Sequence, residues 1–199
     1  MRQRMTIKGV IFDMDGTVVE APYDWERIRA ALGTMGKPIL AYINSLEEPE
    51  RSEKWKILRR FEYEATRQAK LNKGIPELLD FLEKKGIWRA LVTNNSQDNV
   101  SYLLEKFNLE FDFVLARESG LWKPSSAPFI AVLDRFNLKR EECVVIGDSH
   151  FDFRAGAEAG IAKIFILNAD KGKFLSTETE IFASVKEIQR RIAALIGGR

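Results

Sequence analysis

Five short apolar runs, rich in β-branched residues, constrain this chain more than any other feature: KGVIF (8–12), IWRALV (87–92), FDFVL (111–115), CVVIG (143–147) and KIFIL (163–167). Continuous apolar runs of that length suit strands buried on both faces. Helical patterns lie between them. Val100, Leu103, Leu104 and Phe107 recur at helical spacing, as do Phe129, Val132, Leu133 and Phe136. GIPELLDFLEKKG carries Pro76 near a helix start and Gly86 just past its end, the asymmetry of a capped helix. Strands that alternate with helices predict an α/β protein whose parallel sheet is covered on both sides.

Residues 18–74 break the alternation, because they contain no strand-like run. Trp25, Ile28, Leu32 and Met35 form one apolar stripe, and Trp55, Leu58, Phe61 and Ala65 another. The spacing predicts a small helical insert at 18–74, with the remaining domain built from 1–17 and 75–199. In the tail, Phe182, Val185, Ile188, Ile192 and Leu195 predict a closing amphipathic helix.

Composition narrows the function. With 31 Lys and Arg against 29 Asp and Glu, the net charge of +2 argues against a general affinity for nucleic acid or membranes. The single cysteine, Cys143, lies inside an apolar run and reads as a small buried hydrophobe. The N-terminal segment resembles neither a signal peptide nor a membrane span, so the expected location is cytoplasmic.

The function must then sit in a local site. Ligands of an open parallel sheet bind beyond the carboxyl ends of the strands, where the strand order reverses. DMDGT follows the first run, Thr93, Asn94 and Asn95 the second, and GDSHFD the fourth; Lys123 and Pro124 stand where a helix should begin after the third. Alone, Asp13 and Asp15 could decorate a turn. Together with Asp148 they form a set of hard oxygen donors whose mutual repulsion a cation must offset, and Mg²⁺ suits one or two carboxylates plus water and phosphate oxygens. Thr93 and Lys123 add a hydroxyl and a positive charge for phosphate, so the set reads as a phosphoryl-transfer site.

On these residues the sequence resembles the haloacid dehalogenase-like superfamily in its phosphatase branch, most closely the phosphoglycolate phosphatase-like members. DMDGT, LVTNN, WKP and GDSHFDFRAGAEAG match the four family motifs in order. The resemblance implies a Rossmann-like core with a helical cap inserted after the first strand. It makes Asp13 the nucleophile that forms an aspartyl-phosphate, and Asp15 the general acid and base. Asp13, Asp148 and the backbone carbonyl of Asp15 would hold Mg²⁺. Thr93, Asn94 and Lys123 would bind substrate, and Asp152 would stand behind them holding water or Lys123. The implied partner is a small phosphorylated metabolite, and the implied assembly a monomer or weak homo-oligomer. Two positions depart from the pattern: Ser126 stands where a proline is common three residues after Lys123, and Trp122 where a small residue is usual.

Other candidates have plainer readings. His150, the only histidine, occupies a variable slot of the fourth motif and reads as a solvated loop residue. ERSEKWKILRRFEYE interleaves its basic residues with Glu, as a solvated helix face does. Two alternatives to a phosphatase stand. One is a sugar-phosphate mutase of the β-phosphoglucomutase type, although the insert lacks the cap histidine such relatives carry. The other is a non-catalytic phospholigand-binding or regulatory protein on the same fold.

Overall fold

The computed structural model describes residues 7–167 and 179–197. Strand β1 (Gly9–Phe12) leads through a tight turn to the two-residue β2 (Val19–Glu20). Helices α1 (Trp25–Leu32), α2 (Ile39–Asn44) and α3 (Glu50–Gln68) follow, and then the two-residue β3 (Lys70–Leu71). Strand and helix then alternate: α4 (Ile75–Lys84), β4 (Trp88–Val92), α5 (Gln97–Phe107), β5 (Phe113–Leu115), α6 (Ala127–Arg135), β6 (Cys143–Gly147), α7 (His150–Glu158), β7 (Ile164–Leu167), β8 (Thr179–Phe182) and α8 (Val185–Gly197).

Six strands pair in parallel in the order β5-β4-β1-β6-β7-β8. The chain builds one half outward from β1 and then returns to build the other, so the order reverses beside β1 and β6. Every residue of β1, β6 and β7 is buried, as strands covered on both faces require. Alternation sends Ile11 and Val145 to one face, where they pack with Phe129, Val132, Leu133 and Ala155 of α6 and α7.

At the sheet edge, Arg89 and Asp112 form a forked pair. The Arg89 guanidinium donates Nε and Nη2 to the two Asp112 oxygens at 3.1 Å each, and its backbone N–H donates to Oδ2 at 2.8 Å. Asp112 is thus held by Arg89 just before β5, which is shorter than the FDFVL run. Cys143 is fully buried, and burial pushes its thiol up to about 12.

The chain divides into two compact units, Met1–Glu20 with Leu71–Arg199, and Ala21–Lys70. The second unit holds α1 to α3 around Ile28, Leu32, Ile43 and Leu58, with Tyr23, Trp55 and Phe61 packed against them. Asp24 starts α1 by accepting the Arg27 N–H at 3.0 Å, and Gly33 ends it at φ 73°.

Three expectations are corrected. Met35 lies beyond α1, 92% exposed, because Gly33 has already ended the helix. Residues 18–74 do contain strand, since β2 and β3 pair as a two-stranded sheet too short to leave a periodic signal. Phe182 belongs to β8, where it meets Phe165 of the neighbouring strand with ring centroids 5.0 Å apart, and the final helix begins only at Val185. On α3, Ser52, Glu53, Lys56, Arg59 and Arg60 are exposed as a solvated face should be, whereas Glu62 is buried.

Candidate active site

The turn after β1 is shaped by its backbone. Asp13 N–H donates to the Ile146 carbonyl at 2.9 Å, carrying the parallel ladder one residue past the strand. Met14 is fully buried, and its carbonyl accepts the N–H groups of Val18 and Val19 at 2.9 and 3.0 Å. Gly16, at φ 89°, supplies the left-handed step, and a Cβ there would overlap the Asp148 carboxylate. The turn and the end of β6 are therefore packed as closely as a glycine allows.

Past β6, Ser149 caps α7. Its hydroxyl and N–H donate to Asp152 Oδ2 at 2.6 and 3.2 Å, a capping box that leaves the other Asp152 oxygen aimed at Lys123. Lys123 Nζ donates to Asp152 Oδ1 at 2.6 Å and to Asp13 Oδ1. Asp152 and Lys123 are 0% and 6% exposed. A side chain at Gly147 would overlap Asp152, so this glycine too makes room for a carboxylate.

The second element of the site comes from the end of β4. The register Phe12↔Leu91 brings Thr93 to the same end of the sheet as Asp13, and Thr93 N–H donates to Leu115 O at 2.9 Å. Thr93 Oγ1 accepts the Asn95 N–H at 3.0 Å, which leaves its O–H to donate elsewhere. Asn94 was expected to meet substrate. Its amide is engaged on both sides by the Lys123 backbone, donating to the carbonyl at 2.9 Å and accepting the N–H at 3.0 Å, and so clamps the lysine from behind.

The two departures in the third motif find physical reasons. Trp122 Nε1 donates to Arg117 O at 2.7 Å, and Arg117 Nε donates to Asn94 O at 2.9 Å, so the bulky residue pins the loop that carries Lys123. This also ties the Arg117 side chain to the Asn94 backbone. Ser126 needs no proline, because Pro128 occupies the first turn of α6. His150 is exposed and opens α7.

Asp13, Asp148 and Asp152 each offer a carboxylate oxygen, all within 4.8 Å of one another. The Asp15 side chain is not part of that trio. One lysine cannot neutralise so many buried acids. Burial above all, together with the neighbouring carboxylates, holds the Asp13 carboxyl well above the ordinary range despite Lys123. Burial and the Asp152 charge push Asp148 up to about 7. Burial alone would lower Lys123, but the charges of Asp13 and Asp152 outweigh it and hold the ammonium protonated. An anionic pocket short of positive charge, with oxygen donors this close, fits a small hard divalent cation.

Asp15 has a different partner. Asn95 Nδ2 donates to its Oδ2 at 3.0 Å. The signal for Asn95 in the sequence is its position between the end of β4 and Ser96, the N-cap of α5.

The haloacid dehalogenase-like hydrolase profile matches residues 19–166. The chain belongs to that family. An uncharacterised hydrolase of Saccharomyces cerevisiae is 28% identical over 94% of this hydrolase and 89% of the yeast protein. A phosphorylated carbohydrates phosphatase of Thermotoga maritima is 29% identical over 80% of this chain and 84% of its own. Among solved structures, a Thermotoga maritima protein provisionally named a β-phosphoglucomutase superposes with a TM-score of 0.69 at 26% identity, covering 94% of this chain and 98% of that one. The haloacid dehalogenase-like fold accounts for the parallel order of the sheet and for the site at its carboxyl edge. Among the described residues, no helix of this hydrolase is long and apolar enough to cross a membrane.

Proposed function

We propose that this hydrolase is a Mg²⁺-dependent, cytoplasmic phosphatase of small phosphorylated metabolites that works through an aspartyl-phosphate on Asp13. The observation that carries the reading is the end of β1, where Asp13 meets the buried Lys123 ammonium and the Asn95 amide holds the carboxylate of Asp15, two residues on. A nucleophile benefits from a nearby cation, which favours its anionic form and then meets the developing charge on phosphorus. An acid and base must instead exist in both protonation states.

Asp13 attacks phosphorus in line with the leaving oxygen, and Asp15 gives that oxygen a proton. Asp15 then removes a proton from the water that hydrolyses the acyl phosphate. Lys123 and the Thr93 hydroxyl hold phosphate oxygens, and Asp152 and Asn94 hold Lys123. Asp13, Asp148 and the carbonyl of Asp15 would carry Mg²⁺, which when bound supplies positive charge for the phosphate oxygens. The Ala21–Lys70 unit would be the cap that selects substrates. The relatives' names, a phosphorylated carbohydrates phosphatase among them, support the substrate class.

Release of phosphate from an aryl phosphate, measured with Mg²⁺ and with a chelator, tests the reaction; a panel of phosphorylated metabolites tests the class. A folded protein with no Mg²⁺-dependent turnover on either would favour a binding role. The likeness to the protein provisionally named a β-phosphoglucomutase gives a mutase as the second reading. Conversion of a hexose 1-phosphate to its 6-phosphate without net phosphate release would establish it.

A further inference from the structure

Asn95 is buried, with both ends of its side chain engaged. Its Oδ1 accepts the Ser96 backbone N–H at 2.8 Å and Asn99 Nδ2 at 2.9 Å. The Ser96 group can only donate, so the atom facing it is the oxygen, and the NH₂ must point at Asp15. The backbone is held as firmly: Asn95 N–H meets Thr93 Oγ1, and its carbonyl accepts the Arg117 N–H at 2.9 Å. Ser96 is the N-cap of α5 and accepts the Asn99 N–H, so the amide is built into the first turn of an 11-residue helix.

We infer that Asn95 is a positioning residue for the Asp15 carboxyl, holding it in one orientation through both proton transfers; the inference rests on the phosphatase reading above. The chemistry favours an amide there. Asp15 must give a proton in one step and take one in the next without turning away. An N–H donor needs only a lone pair on Oδ2, which a proton on the opposite oxygen leaves in place, so the bond survives both states.

The test is a double-mutant cycle read on two leaving groups. Asn95→Asp keeps an oxygen for Ser96 and Asn99, but it loses the N–H aimed at Asp15 and sets a carboxylate oxygen against that residue in its place. With an alkyl phosphate, kcat should fall roughly tenfold to hundredfold, as for a lost hydrogen bond to a charged group, while KM stays nearly unchanged. The phenol burst from an aryl phosphate should be nearly intact, because a phenolate leaves with little help. On an Asp15→Asn background the substitution should cost nothing further.

Equal losses on both substrates and in both backgrounds would assign Asn95 a merely structural role and overturn the proposal while leaving the phosphatase reading intact. A wild-type enzyme without Mg²⁺-dependent turnover would overturn both. Should Asn95→Asp not fold, the side-chain amide ¹⁵N–¹H resonance of Asn95 decides the contact in the native sequence. It should shift in Asp15→Ala, and an unmoved resonance overturns the proposal.

Discussion

The carboxyl edge of the sheet and the inserted helical unit are built on opposite principles. At the edge, the candidate groups stand one residue beyond strands whose register is set by backbone hydrogen bonds: Asp13 after β1, Thr93 after β4, Asp148 after β6. Glycines at 16 and 147 leave no space for substitution. The Ala21–Lys70 unit has no such ladder around its core. Its helices rest on four buried aliphatic side chains and a ring of half-buried aromatics, and it carries a cavity of about 150 Å³ lined by Tyr23, Asp24, Arg27, Phe61 and Gln68 among others. Backbone-set geometry tolerates little change, whereas side-chain packing can be rearranged at modest cost. On the proposed function, the difference puts the chemistry where geometry is locked and the selectivity where it is free to vary.

The harshest way to break this comparison is Asp13→Asn. Loss of the nucleophile should abolish turnover, on the order of 10⁶-fold as for other covalent nucleophiles, without lowering the melting temperature. Intact-mass analysis of quenched wild type should show one added phosphoryl group that the variant lacks. Residual activity within tenfold of wild type would place the nucleophile elsewhere.

Asp15→Asn comes next. Hydrolysis of the acyl phosphate needs a base and should slow by roughly 10²–10⁴-fold, while an aryl phosphate still gives a burst of about one phenol per enzyme. A linear time course with no burst would show that the two aspartates do not divide the work.

Asp148→Asn separates metal from fold, and its effects have opposite signs. Burial raises the Asp148 carboxyl from its ordinary 3.8 to about 7, so the folded chain holds that proton more tightly than the unfolded one does. This contribution to stability is complete below about pH 3.8 and is lost as pH rises through about 7. In chelator, the melting temperature of Asp148→Asn should therefore gain on wild type between pH 4 and 7. Added Mg²⁺ should then stabilise wild type far more than the variant, and the half-saturating Mg²⁺ for activity should rise at least roughly tenfold. A difference that stays flat across that pH range would mean the carboxyl is not buried as described.

The mildest change sharpens the other side. Leu58→Ala empties part of the insert's interior and should cost about 2–4 kcal/mol of local stability. Hydrolysis of an aryl phosphate should persist while rates across a metabolite panel shift unevenly. Proportional loss on every substrate would tie the insert to the chemistry itself.

Much of the core was legible in the sequence because the information was local. A strand buried on both faces must be apolar throughout, so β1, β6 and β7 announced themselves, and the polar residues directly behind the strands were the candidates by position alone. Where no periodicity could develop, the sequence was silent: two-residue strands leave no pattern, and Gly33 ended a helix before the Met35 that seemed to continue its stripe.

Partner choice was settled only in three dimensions. Lys123, Asp13 and Asp152 lie far apart in the chain, and nothing local says that one ammonium will bridge two carboxylates, that Asn94 will turn its amide to the Lys123 backbone, or that Asn95 will reach Asp15 across 80 positions. The sequence determined which chemical groups stand at the ends of the strands. The strand order determined which of them meet, because hydrogen bonds and charges act over a few ångströms of space, whatever the separation along the chain.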